Sequence, residues 1–256
     1  MANQNMRRGE YRVSLIIPCY NEALRLDVQQ FHRYLAGNGQ SRIFFVDDGS
    51  TDGTTRVLEE VRRGFQHCTE ILRCGKNKGK AEAVRLGLTY VLDNIQQEFI
   101  GYWDADLATP LESVSCFLTV LDTRPEIEMV FGSRVKLLGR YVERRALRHY
   151  LGRVFATVVS QMLRLPIYDT QCGAKLFRVM PTIRQIFADP FLSKWVFDVE
   201  ILARYLKLCG NDPKSLEKVI YEYPLETWID IPGSKVRPTD FFTAIQDLFR
   251  IKRKYL

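Results

Sequence analysis

Apolar and polar residues follow two different spacings in the first half of the chain. Short apolar runs rich in β-branched and aromatic residues predict five buried strands. These cover residues 12–18, 42–46, 70–73, 99–103 and 128–131. Apolar residues at helical spacing predict helices between them, at residues 22–35, 54–63, 80–92 and 111–121. Strands and helices that alternate through short connections are typical of βαβ units around a mostly parallel sheet.

The alternation stops near residue 134, and the second half of the chain has a different pattern. Residues 143–165 predict a long helix that is basic at first and apolar later, and another helix begins near residue 196. Residues 219–228 alternate enough for a strand. We therefore expect the second half to form an extension that packs against the sheet.

The last helix is predicted to be amphipathic and to end in a cationic cluster. Its apolar stripe consists of Phe241, Phe242, Ile245, Leu248 and Phe249. Such a helix lies in a membrane interface or docks on the protein core. No repeat or flexible linker divides the chain. The expected organisation is an N-terminal tail (1–11), an α/β domain (12–237) and a C-terminal amphipathic helix (238–256) packed on the domain or on a membrane surface.

Composition places the chain among globular proteins with one large core. It has 256 residues, of which 46% are apolar and 26% are charged. No apolar stretch approaches the roughly 18 residues that span a bilayer, and the polar N-terminus lacks the core of a signal peptide. The six cysteines show no paired spacing, so we expect reduced thiols. The expected location is the cytoplasm, or a peripheral position on the cytoplasmic face of a membrane.

The net charge of +7 is concentrated in two regions of the chain. Residues 132–153 contain seven basic side chains against one acid, and residues 250–254 add four more. Such patches suit a nucleic acid, an anionic membrane surface or a phosphorylated substrate, or they are solvated faces. Because the cations lack interleaved aromatic residues and a known RNA- or DNA-binding module, we expect no nucleic-acid partner.

Two carboxylates one residue apart follow the predicted strand at 99–103. Ligands of an open α/β sheet collect at the carboxyl ends of its strands, where Asp104 and Asp106 would emerge. Mg²⁺ or Mn²⁺ accepts such oxygen ligands and keeps other positions for water and phosphates. The pair therefore suggests a metal that holds a diphosphate. The alternative is a turn in which Asp106 or Thr109 caps a helix near Pro110.

Further polar motifs follow the first two predicted strands. Pro18 ends strand pairing, and Tyr20 offers a flat face for a base. Asp48 follows the second strand, where a carboxylate can bind a ribose hydroxyl or a base N–H. The segment 46–54 is neither a Gly-x-Gly-x-x-Gly motif nor a P-loop, which argues against a NAD enzyme or an ATPase.

Together these motifs resemble glycosyltransferase family 2, the nucleotide-sugar enzymes of the GT-A fold. The motifs are Pro-x-Tyr-Asn-Glu (18–22), Val-Asp-Asp-Gly-Ser-Thr-Asp-Gly-Thr (46–54), Asn-Lys-Gly-Lys (77–80), Asp-Ala-Asp (104–106) and Gly-Ser-Arg (132–134). Segments 169–177 and 195–200 are similar to the dolichyl-phosphate β-glucosyltransferase branch, close to the dolichyl-phosphate mannose synthases. The resemblance spans residues 12–240 and implies a Rossmann-like, mostly parallel sheet flanked by helices, with a C-terminal helical extension.

The resemblance assigns roles by position. The nucleotide-sugar-binding positions are Pro18, Tyr20, Glu22, Val46, Asp48, Asp104, Ala105, Asp106 and Lys235. Asp104 and Asp106 also match the metal ligands. Asp169 matches an aspartate proposed as the catalytic base, which here either removes a proton or orients the sugar or a neighbouring cation. The candidates for binding the acceptor phosphate are Arg134, Arg144, Arg145 and Lys175, the last of which is alternatively a solvated strand lysine.

Two departures bear on the donor sugar. Mannose synthases carry a glutamine where this chain has Ala108, and an arginine where it has Ile229. We therefore expect an inverting hexosyltransferase that uses Mg²⁺ or Mn²⁺ and moves glucose from UDP-glucose to a polyprenyl or dolichyl phosphate. The alternatives are GDP-mannose as donor, a sugar, protein or polysaccharide acceptor, and a nucleotide-sugar-binding scaffold without turnover.

Overall fold

Strands and helices alternate along the first half of the chain, as predicted. The computed structural model describes residues 11–143, 146–231 and 238–256, without the side chains of 146–151 and 238–242. The first elements are β1 (Val13–Cys19), α1 (Val28–Gly37), β2 (Ser41–Asp47), α2 (Thr54–Arg62), β3 (Thr69–Arg73), α3 (Lys80–Asn94), β4 (Phe99–Trp103), α4 (Ser113–Thr123) and β5 (Met129–Ser133).

The second half adds both helices and strands. Its elements are β6 (Tyr141–Glu143), α5 (Ala146–Leu163), β7 (Ala174–Arg178), α6 (Pro181–Ala188), α7 (Phe197–Leu208), α8 (Pro213–Val219), β8 (Ile220–Pro224), β9 (Thr227–Ile229) and α9 (Pro238–Tyr255). The helix expected to start at residue 22 begins only at Val28, because the Asp27 carboxylate caps it by accepting the N–H of Gln30.

Seven strands form one sheet in the order β3-β2-β1-β4-β7-β5-β8. Strand β7 runs antiparallel to β4 and β5, and the other neighbours are parallel. Strands β6 and β9 pair in a small separate sheet. As a consequence, six strands point their carboxyl ends to one edge, and the chain enters β7 from that same edge.

The second half is therefore more than an extension packed against the sheet. Strand β7 lies inside the sheet and β8 forms its border, and neither place was predicted. The single strand expected at 219–228 is two strands in different sheets, since β8 ends at Pro224 and β9 begins at Thr227. Helices α6 and α8 and strand β6 were not predicted either, because each is short.

Side chains that alternate along the strands supply two cores, one on each face of the sheet. Ile16 and Tyr102 face helices α3, α5, α6, α7 and α9, whereas Leu15 and Trp103 face α1, α2 and α4. Such alternation is what a sheet covered on both faces requires. None of the six cysteines, all of which lie in the described parts of the chain, forms a disulfide.

Helix α9 docks its buried stripe on the domain. Ala244, Leu248 and Ile251 lie in the core, and the Tyr255 hydroxyl donates to Glu200 of α7 at 2.9 Å. Phe249 is 70% exposed on the opposite side. Among the described parts of the chain, no helix has the length and apolar character needed to cross a membrane.

Close strand packing at Gly101 predicts a stability effect. A methyl group there would lie 2.1 Å from the carbonyl oxygen of Lys175 on β7. We expect Gly101→Ala to lower the free energy of unfolding by about 3 kcal/mol, measured by urea denaturation. The control is Gly37→Ala at the end of α1, where a methyl group meets nothing within 4 Å and stability should be unchanged or rise by up to about 1 kcal/mol. Equal effects of the two substitutions would contradict this packing.

Candidate active site

The predicted site residues converge at the carboxyl edge of the sheet because the strand register brings their loops together. Pro18 pairs with Val46 across β1 and β2, and Trp103 pairs with Ala174 across β4 and β7. The loops that follow β1, β2, β4 and β5 therefore meet the loop that precedes β7. This last segment, residues 169–173, is called the pre-β7 loop below.

Each acid of the Asp104–Asp106 pair is held by a cation. The Asp104 carboxylate lies 2.5 Å from the Lys80 ammonium group at the start of α3. The Asp106 carboxylate accepts from the Arg25 guanidinium group and, at 3.2 Å, from the N–H of Ala108. Helix α4 starts at Ser113 without a side-chain cap, so neither Asp106 nor Thr109 caps it.

The donor set of this pair fits a divalent cation of the Mg²⁺ or Mn²⁺ type. Within the described residues there is no group of three or more acidic, histidine or cysteine side chains arranged to hold a metal ion. Mg²⁺ is commonly held by one or two carboxylates together with water and substrate phosphates. Burial and the neighbouring charge of Asp104 raise the pKa of Asp106, and Lys80 and Arg25 already place positive charge at these two carboxylates.

Gly173 leaves room for the Asp104 carboxylate. The Asp104 N–H donates to the carbonyl of Gly173 at 3.0 Å, which ties the end of β4 to the pre-β7 loop. A methyl group on Gly173 would lie 1.9 Å from Oδ2 of Asp104. Only glycine therefore allows this carboxylate its observed position.

Asp48 organises the loop that presents Lys80. This carboxylate is buried and accepts the N–H groups of Lys78 at 2.9 Å and Gly79 at 2.7 Å. Burial raises its pKa. Gly49, with φ of +70°, packs against the backbone of the same loop, and a methyl group on it would lie 2.7 Å from the carbonyl carbon of Lys76. The family resemblance assigned Asp48 to the nucleoside, and this geometry adds a second role as a loop anchor.

Arg25 links the predicted nucleoside loop to the metal acids, and no sequence motif assigned it a role. Its guanidinium group contacts both Glu22, at 3.0 Å, and Asp106. The N–H of Glu22 in turn donates to Thr54 at 2.7 Å, which ties this loop to the start of α2. Tyr20 lies at the mouth of the site with 36% of its surface exposed. Lys80 stands within a motif that was recognised, but its contact with Asp104 was not foreseen.

Arg134 and Asp169 form a bidentate ion pair beside these acids. The guanidinium group donates to the two carboxylate oxygens at 2.6 and 2.8 Å, and the N–H of Arg134 donates at 3.1 Å. Glu222 of β8 accepts the N–H of Asp169 at 2.6 Å and that of Tyr168 at 2.9 Å. Both carboxylate oxygens of Asp169 accept from Arg134, so this geometry favours the orienting role of Asp169.

Lys175 lies beneath the site and not in it. The side chain is 1% exposed, and its ammonium group is bound to Asp198. Because the side chain is buried, the structure does not support direct contact between Lys175 and an acceptor phosphate. It does not support the alternative of a solvated strand lysine either. Ala105 is buried beside the acid pair. The candidates Arg144, Arg145 and Lys235 lie outside the residues whose side chains the structure describes.

The two departures from the mannose synthases are neighbours in space. The N–H of Ile229 on β9 donates to the carbonyl of Ala108 at 3.1 Å. Ala108 is also the residue whose N–H contacts Asp106. Two positions that are 121 residues apart in the sequence therefore form one wall next to the acid pair.

Comparison with known proteins identifies the family. The sequence profile described as Glycosyl transferase family 2 matches residues 14–184. The chain belongs to glycosyl transferase family 2. Among curated relatives of this family 2 chain, the dolichyl-phosphate beta-glucosyltransferases of Dictyostelium discoideum and Drosophila melanogaster are each 32% identical over 95% of this chain and 75% of their own length. The enzyme of that name from Saccharomyces cerevisiae is 29% identical over 99% of this chain and 78% of its own length.

Solved structures share the fold. The mannosyl-3-phosphoglycerate synthase of Rubrobacter xylanophilus has a TM-score of 0.67 at 17% identity, over 95% of this chain and 73% of that one. The glucosyl-3-phosphoglycerate synthase of Mycobacterium tuberculosis, in complex with Mn²⁺, uridine diphosphate and glucosyl-3-phosphoglycerate, has a TM-score of 0.63 at 17% identity, over 96% and 77%. The predicted family and the predicted GT-A fold are confirmed.

The half-buried Glu222 carboxylate predicts a pH-dependent stability difference. Burial raises the pKa of Glu222 in the folded protein. Between the unfolded pKa of about 4.3 and the higher folded pKa, the folded state therefore binds more protons than the unfolded state. This group therefore makes the folded state less stable as pH rises through that window. We expect the stability of Glu222→Gln relative to the unmodified protein to increase from pH 4 to pH 7 in urea denaturation. A difference that stays constant or declines would contradict the raised pKa.

Proposed function

We propose that this glycosyltransferase moves glucose from UDP-glucose to a polyprenyl phosphate of the dolichyl type, with inversion at the anomeric carbon. The observation that carries the proposal is the meeting of Asp104 and Asp106 with Lys80, Arg25 and Arg134 at one edge of the sheet. This combination provides ligands for a metal and cations for phosphates. The names of the curated relatives support a dolichyl phosphate acceptor.

The donor end of the site would hold a uridine nucleotide. Tyr20 offers an exposed ring for the base, while Pro18, Val46 and Asp48 border the same end of the sheet. The complex of the structural neighbour with uridine diphosphate and Mn²⁺ supports this choice. The wall formed by Ala108 and Ile229 argues against GDP-mannose, because the resembling mannose synthases carry longer polar side chains at both positions.

Departure of the diphosphate is the step that needs stabilisation. Breaking the anomeric C–O bond leaves an oxocarbenium-like sugar and develops negative charge on the leaving diphosphate. Asp104 and Asp106 would hold Mg²⁺ or Mn²⁺, which acts as a Lewis acid toward that charge. Lys80 and Arg25, which contact these two acids, would add positive charge next to the phosphate oxygens and so stabilise the developing charge.

The acceptor phosphate needs a cationic cradle more than a base, since it is already ionised at neutral pH. Arg134 would bind it through its planar guanidinium group, which suits phosphate oxygens. In that arrangement Asp169 orients Arg134 and does not remove a proton. Arg144 and Arg145 would extend the cradle, because arginine binds phosphate oxygens bidentately.

Peripheral contact with an anionic membrane would bring this site to a lipid acceptor. The end of α9 exposes Lys252, Arg253 and Lys254, and Phe249 lies on the exposed side of the same helix. An exposed aromatic side chain beside several cations favours binding to anionic lipid surfaces.

Removal of either metal ligand tests the chemistry. We expect Asp104→Asn and Asp106→Asn to lower kcat at least about 100-fold, because charge on the diphosphate loses its stabilisation. Chelation of divalent ions should abolish transfer in the unmodified protein, and Mn²⁺ or Mg²⁺ should restore it. The control is Asp93→Asn, which alters an acid with 59% side-chain exposure, paired with Arg184. Full activity without divalent ions would overturn the metal-dependent mechanism.

A panel of substrates tests the assignment of donor and acceptor. The protein is incubated with UDP-glucose or GDP-mannose, dolichyl phosphate and Mn²⁺, and the products are identified by mass spectrometry. We expect a glucosylated lipid phosphate from UDP-glucose and little product from GDP-mannose. Transfer only to a water-soluble acceptor such as phosphoglyceric acid, which is bound in a related structure, would overturn the lipid assignment.

Vesicle binding tests the membrane contact. We expect the protein to co-sediment with vesicles that contain phosphatidylserine and to remain in solution with phosphatidylcholine alone. Phe249→Glu should weaken this binding because it replaces an exposed ring with a negative charge. The proposed surface would be contradicted if the protein does not bind anionic vesicles at low salt. It would also be contradicted if Phe249→Glu binds them as well as the unmodified protein does.

A further inference from the structure

A fully buried ion pair lies directly beneath the active site. Lys175 of β7 and Asp198 of α7 are 1% and 5% exposed through their side chains, and their charged groups meet at 2.5 Å. The Tyr102 hydroxyl on β4 also donates to Asp198. Burying two charges costs free energy that a well-packed apolar pair would not. Such an arrangement therefore needs a reason beyond stability.

The ammonium group of Lys175 uses all three of its hydrogen-bond donors. Besides Asp198, it donates to the carbonyl of Cys172 at 2.7 Å and to that of Thr170 at 3.0 Å. Both carbonyls belong to the pre-β7 loop. An ammonium group has three N–H donors at fixed angles, so one side chain sets the position of two peptide groups.

The pre-β7 loop carries two contacts that define the catalytic geometry. At its start, Asp169 holds Arg134 in a bidentate pair. At its end, the carbonyl of Gly173 accepts the N–H of Asp104, and the α-carbon of Gly173 borders the Asp104 carboxylate. A shift of this loop would move the proposed phosphate ligand and a proposed metal ligand together.

We propose that Lys175, charged and paired with Asp198, is a positioning residue that fixes the pre-β7 loop and thereby the geometry of Asp104 and Arg134 for sugar transfer. It acts through two backbone carbonyls and touches no substrate. The inference rests on the proposed function for its effect on turnover, whereas its effect on the loop is independent of any substrate.

A second buried cation offers a matched control. Arg204 of α7 is 6% exposed through its side chain, pairs with Glu200 at 2.8 Å and donates to the carbonyls of Ile186, Asp189 and Pro190. It resembles Lys175 in burial and in its carbonyl partners. However, those carbonyls lie outside the pre-β7 loop. Arg204→Met therefore removes a buried cation without removing a contact to that loop.

The experiment compares Lys175→Met, Lys175→Met/Asp198→Asn and Arg204→Met in the full chain. Each is measured for stability, for amide hydrogen exchange in residues 169–173, and for kcat and KM at a temperature where it is folded. The double variant removes both buried charges, so we expect it to recover most of the stability lost in Lys175→Met. It should still show exchange at least roughly tenfold faster in the loop and a kcat about 100-fold lower, with the donor KM within about threefold.

The outcomes separate positioning from a purely structural role. We expect Arg204→Met to lose stability but to keep the kcat and the loop exchange of the unmodified protein. A double variant that regains stability together with kcat, or together with slow amide exchange in the loop, would overturn the proposal. Faster loop exchange with an unchanged kcat would overturn it as well. If the unmodified protein transfers no sugar, the proposed function fails, and the exchange comparison still tests the loop.

One measurement needs no variant and covers the case in which the substitutions prevent folding. In the unmodified protein the amides of Asp104, Asp169 and Gln171 are hydrogen-bonded within or against the loop. We expect them to exchange as slowly as the amides of the neighbouring strand β4. Exchange at the rate of an unprotected surface loop would overturn the anchoring by Lys175.

Discussion

Ion pairs between separate loops hold the carboxyl edge of the sheet together. They are Lys80–Asp104, Arg25–Asp106 and Arg134–Asp169. In each pair the acid and the cation come from different connections, so each pair fixes the distance between two loops. The parallel register places these loops side by side, and the opposite charges keep them there. A diphosphate and a lipid phosphate would require these same cations. The residues that hold the edge together are therefore also the ones proposed for its chemistry.

Below this charged edge, a second set of contacts fixes the backbone. Asp48 holds the loop that carries Lys80, Glu222 holds the start of the pre-β7 loop, and Lys175 holds its middle. A buried and a half-buried carboxylate and a buried ammonium group thus bind backbone N–H and carbonyl groups that no strand or helix satisfies. These contacts hold the backbone beneath the three ion pairs of the edge.

Much of this arrangement follows from the sequence, and the remainder depends on long-range pairing. Alternating apolar runs and helical spacing predict the first five strands, and the motifs after them mark Asp48, Asp104 and Asp106 as candidate site residues. The position of β7 could not be read from its own residues, because a lysine at its second position is unusual for a buried central strand. Arg25 stands in no recognised motif, and its contact with Asp106 appears only when the loops after β1 and β4 meet. The joint wall of Ala108 and Ile229 likewise depends on a backbone bond across 121 residues.

The central claim is that the Asp104–Asp106 pair binds a divalent cation together with a nucleoside diphosphate. Pulsed electron paramagnetic resonance of Mn²⁺ added to the protein with uridine diphosphate tests it most directly. The account predicts one tightly bound Mn²⁺ per chain, with a hyperfine coupling to phosphorus that shows direct contact with the diphosphate, and the loss of this signal in Asp104→Asn. Absence of bound Mn²⁺, or a bound Mn²⁺ without phosphorus coupling, would contradict the account.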